Sequence, residues 1–172
     1  MKELKYYKKN WAIKAVKEIN ASPKEIWNLI SKEGNLNLIH PFCKNNFALS
    51  WNSGNYIDVL IYLNGLKFIR EFKKWQPNQG YSLLIGTKNG KKSYVEWKIY
   101  KKNKKQYLSI TLYTHYMRDY PKLLSFFPHV FIIKPNLEKY LKCVLGGIDY
   151  YLSTKKQVPR NHFGKHNWFS KI

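Results

Sequence analysis

The segment from Pro135 to Ser153 constrains the fold more than any other, because it is the one long stretch whose apolar residues follow a helical period. At ~100° per residue, these residues share one face of a helix. Pro135 suits the first helical turn, where the missing N–H would have no partner. The apolar stripe of this helix needs an apolar surface to cover it. The stripe consists of Leu137, Tyr140, Leu141, Val144, Leu145, Ile148, Tyr151 and Leu152.

The part of the chain before this helix is dominated by strand patterns. From Phe47 to Met117, apolar and polar residues alternate over short segments, as in antiparallel strands with one buried face. An earlier strand is predicted over 11–19, which gives a sheet of about six or seven strands. Asn64-Gly65 and Asn89-Gly90 each predict a two-residue hairpin, in which both turn positions need a positive φ. Further turns are predicted at 53–55, 77–80 and 101–105.

A capping box predicts a helix after the first strand. In Ser22-Pro23-Lys24-Glu25, the Ser side chain would cap the helix start and the Glu side chain would reach back to the backbone. This helix would carry the apolar residues of 26–30 and end near Gly34. One more helical turn is predicted over 35–39.

Prolines and glycines mark irregular points around the terminal helix. Pro121 could start a short helix, whereas Pro128 and Pro135 are expected to break or kink a longer one. Gly146-Gly147 is unusual inside a helix, where each glycine costs about 1 kcal/mol relative to alanine. The pair indicates the close approach of a strand or a ligand, a kink, or simply packing against the sheet.

Length and composition predict one domain over residues 1–172, with 156–172 as a tail that packs back on it. The chain has 172 residues and is 44% hydrophobic, which is enough to build a core. It contains no apolar run of the ~20 residues that a membrane span needs, and no signal peptide is apparent. Cys43 and Cys143 are far apart in sequence, which favours a reducing, cytoplasmic setting.

The formal net charge of +21 suggests attraction to polyanions. Direct readout of bases favours the bidentate arginine fork, yet the chain has only Arg70, Arg118 and Arg160. The lysines are spread along the chain, many of them at predicted turns. We therefore expect no specific nucleic-acid partner, but a weak attraction to polyanions or to an anionic membrane surface.

The order of these elements resembles that of the START/Bet v 1-like helix-grip superfamily, the SRPBCC group that includes polyketide cyclase/dehydrase-like proteins. The resemblance is carried by Ile19–Trp27, His40–Cys43, Asn64–Leu66, Gly80–Gly86, Ser93–Trp97, the terminal helix and the tail from Val158. It implies an α+β fold in which a curved antiparallel sheet wraps around the C-terminal helix, with one or two short helices after the first strand. It also implies an apolar pocket between the sheet and the helix.

The strand and helix patterns predict which side chains face this pocket. The same side chains could instead fill the space as an ordinary core. The predicted lining is Val59, Ile61, Phe68, Arg70, Phe72, Leu83, Ile85, Val95, Trp97, Ile110, Leu112, Leu141, Val144, Leu145 and Ile148.

Arg70 is the most informative polar residue of this set, because it lies in phase with Phe68 and Phe72. A buried guanidinium needs a partner. It could bind a ligand carboxylate or phosphate, form an internal ion pair, or point to water if the strand has the opposite phase.

No catalytic or metal-binding constellation is evident in the sequence. It has no nucleophile elbow, no phosphate-binding loop and no paired carboxylates. His162 and His166 have a spacing that could suit zinc, but a third ligand is missing. We predict no metal and no cofactor. Tyr62, Tyr94, Tyr113 and His115 could act as general acids if the chain were an enzyme.

The sequence thus predicts a protein that binds or carries a small apolar or amphipathic molecule, without catalysis of its own. One alternative is a polyketide cyclase/aromatase-like enzyme with a hydrophobic substrate. A second is charge-driven binding to nucleic acid or to an anionic membrane.

Overall fold

The computed structural model describes residues 2–52 and 54–170. Met1, Ser53, Lys171 and Ile172 lie outside it, and with them part of the predicted 53–55 turn and the ends of the predicted domain. The strands are β1 Ala12–Glu18, β2 Cys43–Asn52, β3 Asn55–Tyr62, β4 Lys67–Gln76, β5 Gly80–Gly86, β6 Ser93–Lys102 and β7 Lys105–Tyr113. The helices are α1 Lys2–Tyr7, α2 Pro23–Ile30, α3 Leu36–Ile39, α4 Lys122–Pro128 and α5 Lys134–Thr154, with a π-helical turn at His129–Ile133.

The seven strands form one antiparallel sheet in the order β1-β7-β6-β5-β4-β3-β2. The first strand closes against the last, with Ile13 opposite Leu112 and Ala15 opposite Ile110. Helix α5 packs on β1 and β7, and its stripe residues Leu141 and Ile148 are buried. The predicted α+β fold, a curved antiparallel sheet around a C-terminal helix, is confirmed.

The turn between β3 and β4 is one residue longer than predicted. The Tyr62 N–H donates to Leu66 O (2.9 Å) and the Gly65 N–H donates to Tyr62 O (2.9 Å), so Leu63, Asn64 and Gly65 form a three-residue loop. Within this loop only Gly65 has a positive φ, of 88°. A glycine in the left-handed conformation is typical of three-residue hairpins.

This extra residue reverses the predicted orientation of β3. Asp58 lies opposite Arg70 on the neighbouring strand, and Leu60 lies opposite Phe68. Because side chains alternate between faces, a shift of one residue turns every side chain of the strand to the other face. The prediction that Val59 and Ile61 face inward is therefore wrong. Asp58, Leu60 and Tyr62 are the buried residues of this strand.

The predicted tight hairpin at Asn89-Gly90 is also wrong. Ile85 pairs with Ser93, so the connection from Gly86 to Lys92 is long, and neither Asn89 nor Gly90 has a positive φ. The last strand, predicted over 106–117, ends at Tyr113 and is therefore shorter than predicted.

The prolines near the terminal helix do not break it. The chain is helical from Lys122 to Thr154, and it passes through the π-helical turn between Pro128 and Pro135. Prolines remove a helical hydrogen bond, and π-helical turns insert an extra residue without ending the helix. Of the predicted break or kink, the break is therefore wrong, and Pro135 does lie in the first turn of α5.

The predicted capping box of α2 is confirmed. The Ser22 Oγ accepts from the Glu25 N–H (3.2 Å), and the Glu25 carboxylate accepts from the Ser22 N–H (2.8 Å). The helix buries Ile26, Trp27, Leu29 and Ile30.

Two segments at the ends of the chain cover opposite parts of the sheet. At the N-terminal end, Tyr7 stacks on Tyr94 on the outer face, with ring centroids 6.5 Å apart. At the C-terminal end, the Val158 N–H donates to Leu38 O (2.9 Å), and the Phe169 ring stacks on Tyr62 at 4.4 Å. The tail therefore completes the inner side of the fold.

The two glycines of α5 lie at close approaches of other segments. A Cβ on Gly147 would lie 2.0 Å from Ile39 O, at the end of α3. A Cβ on Gly146 would lie 2.8 Å from the ring of Phe163 in the tail. A close approach is therefore observed, but the approaching segments are the end of α3 and the tail, not the strand or the ligand expected from the sequence.

We expect Gly147→Ala to lower the free energy of unfolding by about 1–3 kcal/mol, although alanine is the better helix former. The added methyl group meets a backbone carbonyl that cannot move without displacing α3. Urea unfolding measures the change. Gly146→Ala is the matched control, because its neighbour Phe163 is a partly exposed side chain that can rotate away. Equal destabilisation by both substitutions would contradict this account.

Candidate functional site

A cavity of about 80 Å³ lies between the inner face of the sheet and α5. Its walls are mainly apolar side chains from the sheet and from α5, with one aromatic ring from the tail. The lining residues are Leu36, His40, Leu60, Tyr62, Phe68, Arg70, Leu83, Ile85, Ser93, Val95, Trp97, Ile110, Leu112, Thr114, His115, Tyr116, Leu137, Tyr140, Leu141, Val144 and Phe169.

The structure brings ten of the fifteen predicted residues to this cavity: Phe68, Arg70, Leu83, Ile85, Val95, Trp97, Ile110, Leu112, Leu141 and Val144. Val59 and Ile61 are absent because β3 has the opposite phase. Phe72 instead packs between Trp75 (5.2 Å) and Tyr81 (5.0 Å) at another end of the core. Leu145 and Ile148 are fully buried in α5 but do not reach the cavity.

Arg70 forms an internal ion pair, which is one of the three arrangements left open by the sequence. Its Nε donates to Asp58 Oδ1 (2.7 Å), and its second nitrogen donates to the other carboxylate oxygen. Both side chains are almost completely buried. Burial alone would lower the pKa of Arg70, but the attraction of Asp58 outweighs it, and the pKa is raised. The guanidinium therefore stays charged and already has its counter-ion.

A chain of three hydrogen-bonding side chains lies beside this pair. The Phe42 N–H donates to His40 Nδ1 (3.2 Å), so the imidazole proton must be on Nε2, which lies 2.9 Å from the Tyr140 hydroxyl. The Tyr140 and Tyr62 hydroxyls lie 3.0 Å apart. That contact uses one of the two hydroxyl hydrogens. Among the described residues, the other hydrogen has no acceptor, and it is therefore available to an acceptor in the cavity.

Burial keeps this group neutral. It lowers the pKa of His40 to about 3, with a smaller contribution from the charge of Arg70. It raises the pKa of Tyr140 to about 12 and that of Tyr62 well above its usual value. The polar atoms in this part of the wall are thus uncharged at neutral pH.

Phe68, His115 and Tyr116 separate the cavity from a depression on the surface, because these three residues line both. The Ser93 Oγ accepts from the His115 N–H (3.0 Å) and lies 2.8 Å from His115 Nδ1. Burial lowers the pKa of His115, helped by Arg118 and Lys91. The imidazole at this boundary is therefore neutral at pH 7.

Of the four side chains considered from the sequence as general acids, two line the cavity. Tyr62 and His115 line it, whereas Tyr94 lies on the outer face beneath Tyr7 and Lys8. The Tyr113 ring is also on that outer side, 5.3 Å from the Lys8 amine.

The histidines of the tail are engaged elsewhere. His166 Nε2 lies 2.9 Å from Asn136 O, and the His162 ring packs on Tyr150 at 4.7 Å. In the part of the chain that the structure describes, no group of three or more His, Cys, Asp or Glu side chains is placed to hold a metal ion. Cys43 and Cys143 are free and buried.

Several lining residues were not predicted from sequence. The predicted phase of β3 turns Leu60 and Tyr62 outward, and a three-residue turn after them would have placed both inward. Phe169 comes from a tail with no periodic pattern, and no sequence signal places it in the cavity. Across residues 2–52 and 54–170, no helix is long and apolar enough to cross a membrane.

We expect Arg70→Met to lower the free energy of unfolding by about 3–5 kcal/mol, because it leaves the Asp58 carboxylate buried without its partner. The double variant Arg70→Met/Asp58→Leu should recover most of this loss in urea unfolding. Lys105→Met is the control, since it breaks an exposed ion pair with Glu18 (3.0 Å) and should change little. A double variant as unstable as the single one would contradict the ion-pair explanation.

The low pKa of His40 predicts a specific loss of stability in acid. Its usual value is 6.5, and it is about 3 in the folded protein. Between these values the unfolded chain binds more protons, so stability should fall as the pH drops below about 6.5. His40→Asn should reduce this slope by up to about 1.4 kcal/mol per pH unit.

Urea unfolding of both proteins from about pH 7.5 to about pH 4.5 measures this difference. The pKa values of His115, His129 and His166 are also lowered by burial. These residues remain in both proteins, so the difference between the two curves isolates His40. Parallel curves would show that His40 is protonated without penalty.

Comparisons with known proteins find similarity in structure alone. No family model matches the sequence, and no curated protein matches it. Several solved structures do match the fold. A START superfamily protein from Mycobacterium smegmatis aligns with a TM-score of 0.62 and 14% identity, over 84% of this chain and 99% of that one.

Two further structures have the same architecture. A putative protein from the dynemicin biosynthetic locus aligns with a TM-score of 0.60 and 14% identity, over 85% of this chain and 48% of that one. The Aha1 dimer from Colwellia psychrerythraea aligns with a TM-score of 0.57 and 12% identity, over 84% of this chain and 97% of that one. At such low identity the likeness concerns the fold. The chain has the START/Bet v 1-like helix-grip fold.

Proposed function

We propose that this protein binds a small apolar molecule that carries one hydrogen-bond acceptor, in the cavity between the sheet and α5, without catalysis of its own. The observation that carries the proposal is the hydroxyl hydrogen left over at Tyr62 and Tyr140 in an otherwise apolar wall. A buried donor without a partner is unfavourable. A ligand carbonyl or hydroxyl oxygen would satisfy it, while apolar side chains such as Val95 and Leu141 cover the rest of the ligand.

The cavity volume bears on the size of the ligand. A cavity of about 80 Å³ is smaller than the roughly 150 Å³ of an engineered cavity that holds benzene. A larger ligand would need the boundary of Phe68, His115 and Tyr116 to move. Tyr116 is well suited to move, because its side chain is 41% exposed.

The charges around the cavity support a neutral ligand. Arg70 is the cationic side chain in the wall, and Asp58 already satisfies it. An anionic ligand would have to replace this carboxylate or bury a second negative charge beside it, and both are unfavourable. Arg70 is therefore proposed as part of the lining and as a structural support for it.

The protonation states in the wall support binding rather than acid–base catalysis. A general acid or base works best when its pKa is near the working pH. His40, with a pKa of about 3, and Tyr140, with a pKa of about 12, are both far from neutral pH. Neither residue is poised to exchange a proton with a ligand.

A second candidate function is a cyclase-like enzyme with a hydrophobic substrate. The contact between Ser93 Oγ and His115 Nδ1 at the cavity boundary favours it, because a neutral imidazole can accept a proton. In that case a bound molecule would be chemically changed during incubation with the protein, which mass spectrometry of the small molecule would show.

Two further features of the protein are proposed with this function. The contacts of Val158 and Phe169 support a single domain over residues 1–172, with 156–172 packed back on it. The buried free thiols of Cys43 and Cys143 support a cytoplasmic location. We propose no specific nucleic-acid partner.

A matched pair of small molecules tests the ligand proposal. Acetophenone has a carbonyl acceptor, and α-methylstyrene has nearly the same shape without one. Both are larger than benzene, so each enters the cavity only when the boundary of Phe68, His115 and Tyr116 moves. We expect acetophenone to bind about two- to tenfold more tightly, the value of one net hydrogen bond. Titration followed by NMR measures both affinities, and native mass spectrometry of freshly purified protein tests for a retained molecule.

A matched pair of variants locates the site. Val95→Phe adds a ring to the cavity wall and should reduce acetophenone binding at least about tenfold. Val59→Phe makes the same change on the outer face of the sheet and should leave binding unchanged, provided that both variants are folded by circular dichroism. Equal effects of the two variants, or no binding of either molecule together with no retained ligand, would contradict the proposal.

A further inference from the structure

The helical segment before α5 buries two polar side chains and exposes several large apolar ones. Ser125, His129 and Ile133 follow at four-residue steps and are buried against the body of the protein. The Ser125 Oγ donates to backbone carbonyls of its own helix, including Pro121 O (3.1 Å), and the His129 ring packs on Trp11 at 4.8 Å. A surface helix normally buries its apolar side and exposes its polar side.

The outer side of this segment is an exposed apolar surface, which we call the 123–132 face. It consists of Leu123, Leu124, Phe127, Phe131 and Ile132, whose exposed fractions range from 56% to 81%. The rings of Phe127 and Phe131 stack on each other with centroids 6.2 Å apart. Clustered exposure of this kind is typical of a surface that contacts an apolar partner.

The charges around the 123–132 face are positive. Lys122 and Lys134 lie at its two ends, and no Asp or Glu occurs from Tyr120 to Lys134. The nearest acids in sequence are Asp119, which is paired with Lys91, and Glu138, which lies 3.8 Å from Lys134. The whole chain carries a formal net charge of +21.

We propose that the 123–132 face docks on an anionic lipid bilayer, lying in the plane of the membrane interface with its aromatic rings among the upper acyl chains. Interfacial helices combine an apolar side of Leu and Phe with flanking lysines in this way. Anionic lipids attract each nearby lysine and the strongly basic chain as a whole.

A second copy of the chain is a less favourable occupant of this face. Two such faces in contact would bring Lys122 and Lys134 of both copies together, and each copy carries a net charge of +21. Like charges oppose association. A lipid surface satisfies the apolar side chains and the positive charge together.

Vesicle flotation tests the proposal with the full chain. We expect binding to vesicles of phosphatidylcholine with about 30 mol% phosphatidylglycerol, and much weaker binding to phosphatidylcholine alone. The variant Phe127→Ser/Phe131→Ser should lose at least about tenfold in affinity, while it keeps its fold because both side chains are exposed. Leu49→Ser is the matched control, since Leu49 is an exposed residue of β2, at the opposite edge of the sheet.

A fluorescent label gives an independent measurement. Cys43 and Cys143 are buried, so a thiol-reactive nitrobenzoxadiazole probe can be directed to Leu123→Cys, or to Leu49→Cys as the control. We expect the emission from position 123 to shift to the blue and gain intensity on anionic vesicles, because the probe enters an apolar environment. Position 49 should not respond.

Three outcomes would overturn the proposal. The first is vesicle binding that Phe127→Ser/Phe131→Ser leaves unchanged, which would mean attraction by charge alone. The second is an unshifted probe at position 123 on vesicles that bind the protein. The third is a dimer in sedimentation velocity that the same double variant dissolves, with no vesicle binding, which would make this face a contact between two copies of the chain.

Discussion

The buried ion pair of Arg70 and Asp58 fixes the arrangement on which the rest of the cavity depends. It joins β3 to β4 in a register that only the three-residue loop ending at Gly65 allows. A loop one residue shorter or longer would turn Asp58 to the other face of the sheet and leave Arg70 in the core without its partner, at a cost of several kcal/mol. The same register turns Leu60 and Tyr62 inward. The ion pair and the position of the tyrosine are therefore two results of one turn.

The ion pair also determines the kind of surface that the cavity presents. Because Asp58 satisfies Arg70, the charge does not act on a ligand as a free cation. Burial beside this pair holds His40 in its neutral form, and the Phe42 N–H fixes which imidazole nitrogen carries the proton. That tautomer makes His40 Nε2 the donor to the Tyr140 hydroxyl, while either tyrosine can donate to the other. A fixed backbone contact thus places a neutral donor in an apolar wall.

Sequence patterns predicted the architecture well and the site in part, for a physical reason. Alternation in strands such as β6 and the helical period of α5 record burial directly, so Val95, Trp97, Leu141 and Val144 were placed correctly. In β3, apolar residues occupy both faces, so alternation could not choose between Val59 and Leu60. The loop length sets the phase there, and Asn-Gly occurs in loops of two and three residues. The need of a buried Arg70 for an acidic partner would have resolved the phase of β3, because Asp58 lies opposite Arg70 in one of the two phases.

The protein presents its apolar surface in two places of different character. The inner cavity is small, closed by the sheet and α5, and contains neutral hydrogen-bonding groups. The 123–132 face is open, flanked by lysines and without acids. One helical run, from Lys122 to Thr154, contributes residues to both places, and the π-helical turn divides this run. The extra residue of that turn shifts the angular position of the side chains before it relative to those after it. The apolar side chains before the turn therefore face outward, whereas those after it face the cavity. One continuous helix can therefore serve an external apolar surface and an internal one.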